Sequence, residues 1–159
     1  MNWLELTMFE ISRLFLTPVL ILIMIAFIYA FFALGGFLLE SFARARGKHR
    51  SELAAYYRRH GGSSDDLELW ILRRLEALRI TTRSAPMLGL VATMIPMGPA
   101  LLALSTNQTD GVGENLVIAF AAVILALLSA SIAFAVLIVR RRWLLTELRQ
   151  IERKREEAL

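Results

Sequence analysis

Three runs without a single Asp, Glu, Lys or Arg dominate this sequence: Leu14 to Leu39, Ser84 to Thr109 and Asn115 to Val139, of 26, 26 and 25 residues out of 159. About 20 apolar residues wound as a helix cross a hydrocarbon core of about 30 Å, and no open, unpaired backbone survives there. Each run is long enough for one crossing. The 32 charged side chains crowd into the other 82 positions, too few and too charged to bury a second large core. A soluble enzyme is excluded. The expected fold class is an all-α membrane protein with three transmembrane helices.

Charge placement sets the expected orientation. Ten of the 18 Lys and Arg lie between the first and second runs, seven follow the third, and only Arg13 precedes the first. The connection Thr106 to Glu114 carries Asp110 and Glu114 and no positive residue. Because positive residues stay inside, the chain is expected to run N-out, C-in, as a multi-pass protein of the cytoplasmic (inner) membrane. The same asymmetry accounts for the net charge of +4 without nucleic acid as a partner; membrane lipids are the natural surroundings.

The division expected from these patterns is an outer amphipathic helix at 1–13, TM1 at 14–39, a cytoplasmic helical hairpin at 40–83, TM2 at 84–105, an outer loop at 106–114, TM3 at 115–139 and a cytoplasmic C-terminal helix at 140–159. The first twelve residues interleave Trp3, Leu4, Phe9 and Ile11 with Glu5 and Glu10, which suits a helix lying on the membrane surface. They lack the positive start and shorter apolar core of a cleavable signal. In the hairpin, Ser51 to His60 reads as helix and Gly61-Gly62-Ser63-Ser64 as a turn. Asp65 or Asp66 is the expected N-cap of a helix with Leu67, Trp70, Ile71, Leu75 and Leu78 on one side. Beyond the third run, Arg140, Arg141, Arg142 and Trp143 mark the inner interface, and Leu144, Leu148 and Ile151 continue an amphipathic helix.

Chemistry-bearing residues are sparse. There is no cysteine, and His49 and His60 sit beside arginines where a solvated position is expected, so neither a metal site nor a cofactor is indicated. Proteins that move ions carry costly ionisable groups inside the membrane. These runs carry no carboxylate, His or Lys, so a proton-binding group has to come from another chain.

The runs do hold hydroxyls, Thr93 in the second and Ser129 in the third among them. Thr93 lies ten residues from Arg83 and Ser129 eleven from Arg140, which by counting puts both about 15 Å from the inner ends. The alternative for each is a bond to its own helix. Pro96 and Pro99, in Pro96-Met97-Gly98-Pro99, remove backbone donors just outside Thr93, so a kink or widening facing a pore is expected. Ala119, Ala122, Ala126, Ser129 and Ala133 recur at three- and four-residue steps, the pattern of close helix contact or of a smooth lumen face.

The stretch Ser84-Ala85-Pro86-Met87-Leu88-Gly89-Leu90-Val91-Ala92-Thr93, followed by Leu116-Val117-Ile118-Ala119-Phe120, resembles the two core helices of the MotA/TolQ/ExbB proton channel family. The three-span layout and charged C-terminal helix match as well. The resemblance implies a homopentamer around a dimer of an ExbD/TolR/MotB-like single-span partner, whose membrane Asp supplies the acid this chain lacks. It implies that Thr93 is the pore threonine of the second span. The third-span counterpart falls at Val123, preceded by Ala122, where a hydroxyl is missing, and Ser129 on the same face is the expected substitute. The ion pathway expected from the resemblance is thus Thr93, Ser129, Ala122, Val123 and Ala126, with the kink at Pro96 and Pro99.

The leading expectation is the channel or stator subunit of a proton-driven motor that couples the ion gradient to movement of its partner, and no enzyme. The alternative is a non-conducting scaffold that assembles or holds a single-span partner helix. A solute transporter is disfavoured by the lack of inverted repeats and of charged substrate-binding residues. The connection between the second and third runs is too short for the rotor-gripping domain of flagellar relatives, so an ExbB/TolQ-like layout is expected.

Overall fold

The computed structural model describes residues 3–47, 50–106 and 112–158. The expectations placed on Lys48, His49 and Asp110 lie outside them. The described residues form five α-helices and no strand: α1 (Trp3–Leu14), α2 (Leu16–Ala45), α3 (Glu52–His60), α4 (Ser64–Ser105) and α5 (Val112–Glu156). Three stretches, Trp3–Ala45, Ser64–Ser105 and Val112–Glu156, are long and apolar enough to cross a membrane.

α1 and α2 are separated by a single turn residue, Phe15. Pro18 explains the break, since it has no N–H to offer the Leu14 carbonyl and its ring crowds that oxygen. Within α2, however, Pro18 occupies the first turn, where the missing donor costs nothing.

α4 and α5 have 42 and 45 residues, about 63 and 68 Å of helix, roughly twice what a membrane needs. Each runs without a break from an uncharged half into a charged half. The compositional boundaries at Arg83 and Arg140 are therefore not structural ones. The expected hairpin is α3 followed by the first half of α4, and the expected C-terminal helix is the end of α5.

The turn between α3 and α4 corrects one expectation. The N-cap of α4 is Ser63, not Asp65 or Asp66. Asp66 stands at the third helical position, where its carboxylate accepts from the Ser63 N–H at 2.9 Å while the Ser63 hydroxyl accepts from the Asp66 N–H at 3.3 Å. A serine three residues before an acid makes this reciprocal pair, and a bare search for acidic caps passes over it. Gly61 and Gly62, at φ +64° and +119°, make the reversal that brings the helices together.

Two cores hold the helices together, and they differ in kind. In the charged half, Leu53, Leu67, Ile71, Leu75, Leu78, Leu144 and Leu148 are buried together, with Trp70 and Ile151 packed partly against them and Ala33, Ala133 and Val136 joining from the ends of the uncharged runs. That half excludes water with bulky aliphatic groups. In the uncharged half the cluster is Val19, Ile23, Ala92, Ala122 and Ala126. Lipid is as apolar as leucine, so helices there gain by close approach through small residues. The tightest point is Gly89: a Cβ added to it would stand 2.9 Å from Ala126 Cβ and 3.2 Å from Val123 Cγ2.

Candidate functional site

The antiparallel α4–α5 seam fixes which expected site residues meet. Ala119, Ala122, Ala126, Ser129 and Ala133 are buried at 0–5% exposure. Of the two roles their spacing allowed, close helix contact is the one this chain realises. Ser129 is fully enclosed, and its hydroxyl donates to the Leu125 carbonyl at 2.7 Å. Val123 is half-buried against Gly89.

Thr93 sits at the margin of the seam. Gly89 and Ala92 beside it are buried, while Leu90, Met94 and Met97 face outward. Its hydroxyl donates to the Leu90 carbonyl at 2.8 Å, the i−3 position. A hydroxyl used this way keeps its acceptor lone pairs. Pro96 and Pro99 lie inside the unbroken α4, and without N–H groups they leave the carbonyls of Ala92 and Ile95 with no i+4 donor. Around Thr93 the chain thus offers acceptors and no ionisable group. Such a place suits a proton donor brought by something else.

Thr93 and Ser129 are not brought together. Gly89 meets Val123 and Ala126, and Thr93, one turn further along α4 in the antiparallel pair, lies near the level of Ala121 and Ala122. Ser129 is about eight residues further along α5, about 12 Å of helix nearer the charged end. Counting inward from Arg83 and Arg140 puts the two at equal depth, and the structure corrects this. The register differs because Arg140 lines a small cavity with Arg74 and Leu75, about two turns from Arg83.

The four interface residues divide into two pairs. Arg140 donates to Glu40 at 3.1 Å, and Trp143 stacks on Phe37 with ring centroids 5.4 Å apart. Arg141 and Arg142 are exposed on the other side of α5. Around Arg140 and Trp143 lies a network that the sequence reading missed. Arg44 spans Glu40 at 3.0 Å and Glu147 at 2.6 Å, with its guanidinium 4.4 Å from the Trp143 ring centre. Ser51 donates to Glu147 at 2.7 Å while capping α3 by accepting from the Ala54 N–H at 3.0 Å. Glu40 and Glu147 so tie α2, α3 and α5 at the end of the uncharged half. The available signal was Glu40 itself, the first charge after the first run and four residues from Arg44.

Residues 42–157 match the MotA/TolQ/ExbB proton channel family. The chain belongs to that family. The match takes in α3, α4 and α5 in full, including the seam at Gly89 and the whole ion-pair network except Glu40. No curated protein and no solved structure matches the chain. Family and fold together describe a proton-channel-type, multi-pass membrane protein.

Proposed function

We infer that this chain is the channel or stator subunit of a proton-driven motor, built as a homopentamer in the cytoplasmic membrane around an ExbD/TolR/MotB-like single-span dimer. The observation that carries the reading is the acceptor-only surrounding of Thr93 in spans that contain no Asp, Glu, Lys, Arg or His. A protonated carboxylic acid on the partner finds there a hydroxyl oxygen and the backbone carbonyls that Pro96 and Pro99 release. Once it loses its proton it finds no cation to hold it. The acid is therefore held in one state and released in the other, which is what stepwise coupling requires.

A charge crossing 100 mV gains about 2.3 kcal/mol, so each proton drives one modest step and many act in sequence. The N-out, C-in orientation follows from the charge asymmetry, and it puts α3 and the charged halves of α4 and α5 in the cytoplasm. A second reading, a non-conducting scaffold around the same partner helix, is favoured by the aliphatic side chain at Val123 and by the enclosure of Ser129.

Proton flux into liposomes distinguishes the two. Flux is expected only when the chain is reconstituted with its single-span partner, and loss of flux is expected when the partner's membrane carboxylate is neutralised. Equal flux from the chain alone overturns the supply of the acid in trans, and no flux in any combination leaves the scaffold as the better account.

A further inference from the structure

The arginines at the end of the uncharged half are treated differently on the two sides of α5. Arg44, on α2, and Arg140, on the side of α5 toward α2, share the carboxylates of Glu40 and Glu147. On the opposite side Arg79 and Arg83 from α4 and Arg141 from α5 line a cleft of about 380 Å³. None of the three has a carboxylate partner among the described residues. Glu76, one turn from Arg79, is exposed and makes no ion pair with it. The apolar part of the same cleft is Phe134, Leu137 and Ile138, the last residues of the third uncharged run. A second cleft, of about 360 Å³, shares Ile138 and Arg141 and adds Arg142 and Arg149, which are likewise without carboxylate partners among the described residues.

We propose that the α4–α5 cleft at Arg79, Arg83 and Arg141 binds an anionic phospholipid of the leaflet at the charged end of the bundle. Three guanidiniums converge where the chain passes from lipid into water, the depth of a lipid phosphate. Guanidinium matches phosphate oxygens in a two-pronged geometry that a zwitterionic headgroup's own cation opposes. Phe134 and Ile138, both exposed at about half their surface, give the first segment of an acyl chain an apolar wall. Arg142 and Arg149 extend the positive belt past one headgroup, so a lipid carrying two phosphates fits better than a lipid carrying one. The proposal is independent of ion conduction, because it uses neither Thr93 nor a partner chain.

The test is native mass spectrometry of the full chain released from nanodiscs made of phosphatidylcholine and phosphatidylglycerol in equal parts. Phosphatidylglycerol is expected to be retained in preference. Arg83→Gln with Arg141→Gln is expected to cut that retention about 25-fold, each guanidinium near an anionic surface contributing roughly a fivefold factor. Helix content by circular dichroism should be unchanged, since neither residue holds an ion pair. Arg58→Gln with Arg59→Gln, which removes the same charge from α3, should leave retention as it was. Equal loss in the two double variants overturns the proposal in favour of diffuse surface charge. Displacement of the lipid by millimolar inorganic phosphate overturns it in favour of a phosphate site that does not use the acyl wall. A lower oligomer mass with unchanged lipid retention in the Arg83/Arg141 variant overturns it in favour of contact with a second copy of this chain.

Discussion

A hydroxyl that already donates to its own helix has only its acceptor side to give, and this fixes what Thr93→Val removes. The substitution keeps shape and deletes an acceptor, so the folded bundle should lose about 0.6 kcal/mol, the average worth of such a bond in a membrane interior. Partner-coupled proton flux should fall two- to tenfold, the worth of one net hydrogen bond. Ser129→Ala, about 12 Å away along α5 and enclosed by its own protomer, should change flux independently, so that the effects of the two substitutions add. Flux measurements on the two single variants and the double variant check this, and a synergistic loss would mean one shared site. Asp66 carries a pH dependence of a different kind. The Ser63 backbone N–H and then its hydroxyl hold the Asp66 carboxyl below its ordinary value. A depressed folded value means that the cap's contribution is complete above about pH 3.9 and is lost as pH falls through the lower, folded value. Acid titration followed by circular dichroism should therefore show a step in α4 content that Asp66→Ala abolishes.

At the scale of helices, the same residue type does different work in the two halves. Leucines close the charged half and alanines the uncharged half, and Gly89 is the position with least room. Gly89→Ala puts a methyl group 2.9 Å from Ala126 Cβ, so α4 and α5 must separate, at a cost of about 1–3 kcal/mol. Adding Ala126→Gly should return most of that, and thermal unfolding in detergent of the single and double variants measures it. The helices themselves were legible in the sequence, because runs without charge and the spacing of Leu67, Ile71, Leu75 and Leu78 are set by local chemistry. That the backbone beside Thr93 lacks donors was legible too, through Pro96 and Pro99. The relative depth of Thr93 and Ser129 was not, since it depends on how far α5 slides along α4, and that is decided by Gly89 against Ala126 and by Arg140 reaching Glu40. A change of composition at Arg83 and Arg140 looked like a pair of boundaries, yet a helix passes such a change without noticing it. Lysine, arginine and glutamate are good helix formers on either side of an interface.

For the whole molecule, the question is where copies of the chain hold one another. In the uncharged half the regular stripe of small residues, Ala119, Ala122, Ala126, Ser129 and Ala133, is used inside the protomer. Most of what remains outside there is bulky, as at Met94, Met97, Phe120 and Ile124, with scattered small residues such as Gly98, Ala121 and Ala135 between, and lipid covers such bulky groups as well as protein does. The charged halves differ. Leu69, Leu72 and Ile80 stand exposed on α4, at 48, 45 and 56%, along one stripe of a helix that has left the hydrocarbon. Water makes that exposure costly, by about 25 cal/mol for each Å² of apolar surface, and contact with a second copy relieves it. Association in the proposed pentamer should therefore rest on the aqueous half of α4 more than on the spans. Native mass measurement in detergent is expected to give five copies for the unaltered chain. Leu72→Glu with Ile80→Glu should drive it toward monomer while α4 and α5 stay helical, because neither side chain belongs to the core that Leu67, Ile71, Leu75 and Leu78 form on the opposite face of α4. A stable monomer or dimer from the unaltered chain would defeat the pentamer, and five copies retained by the double variant would move the contact back into the membrane.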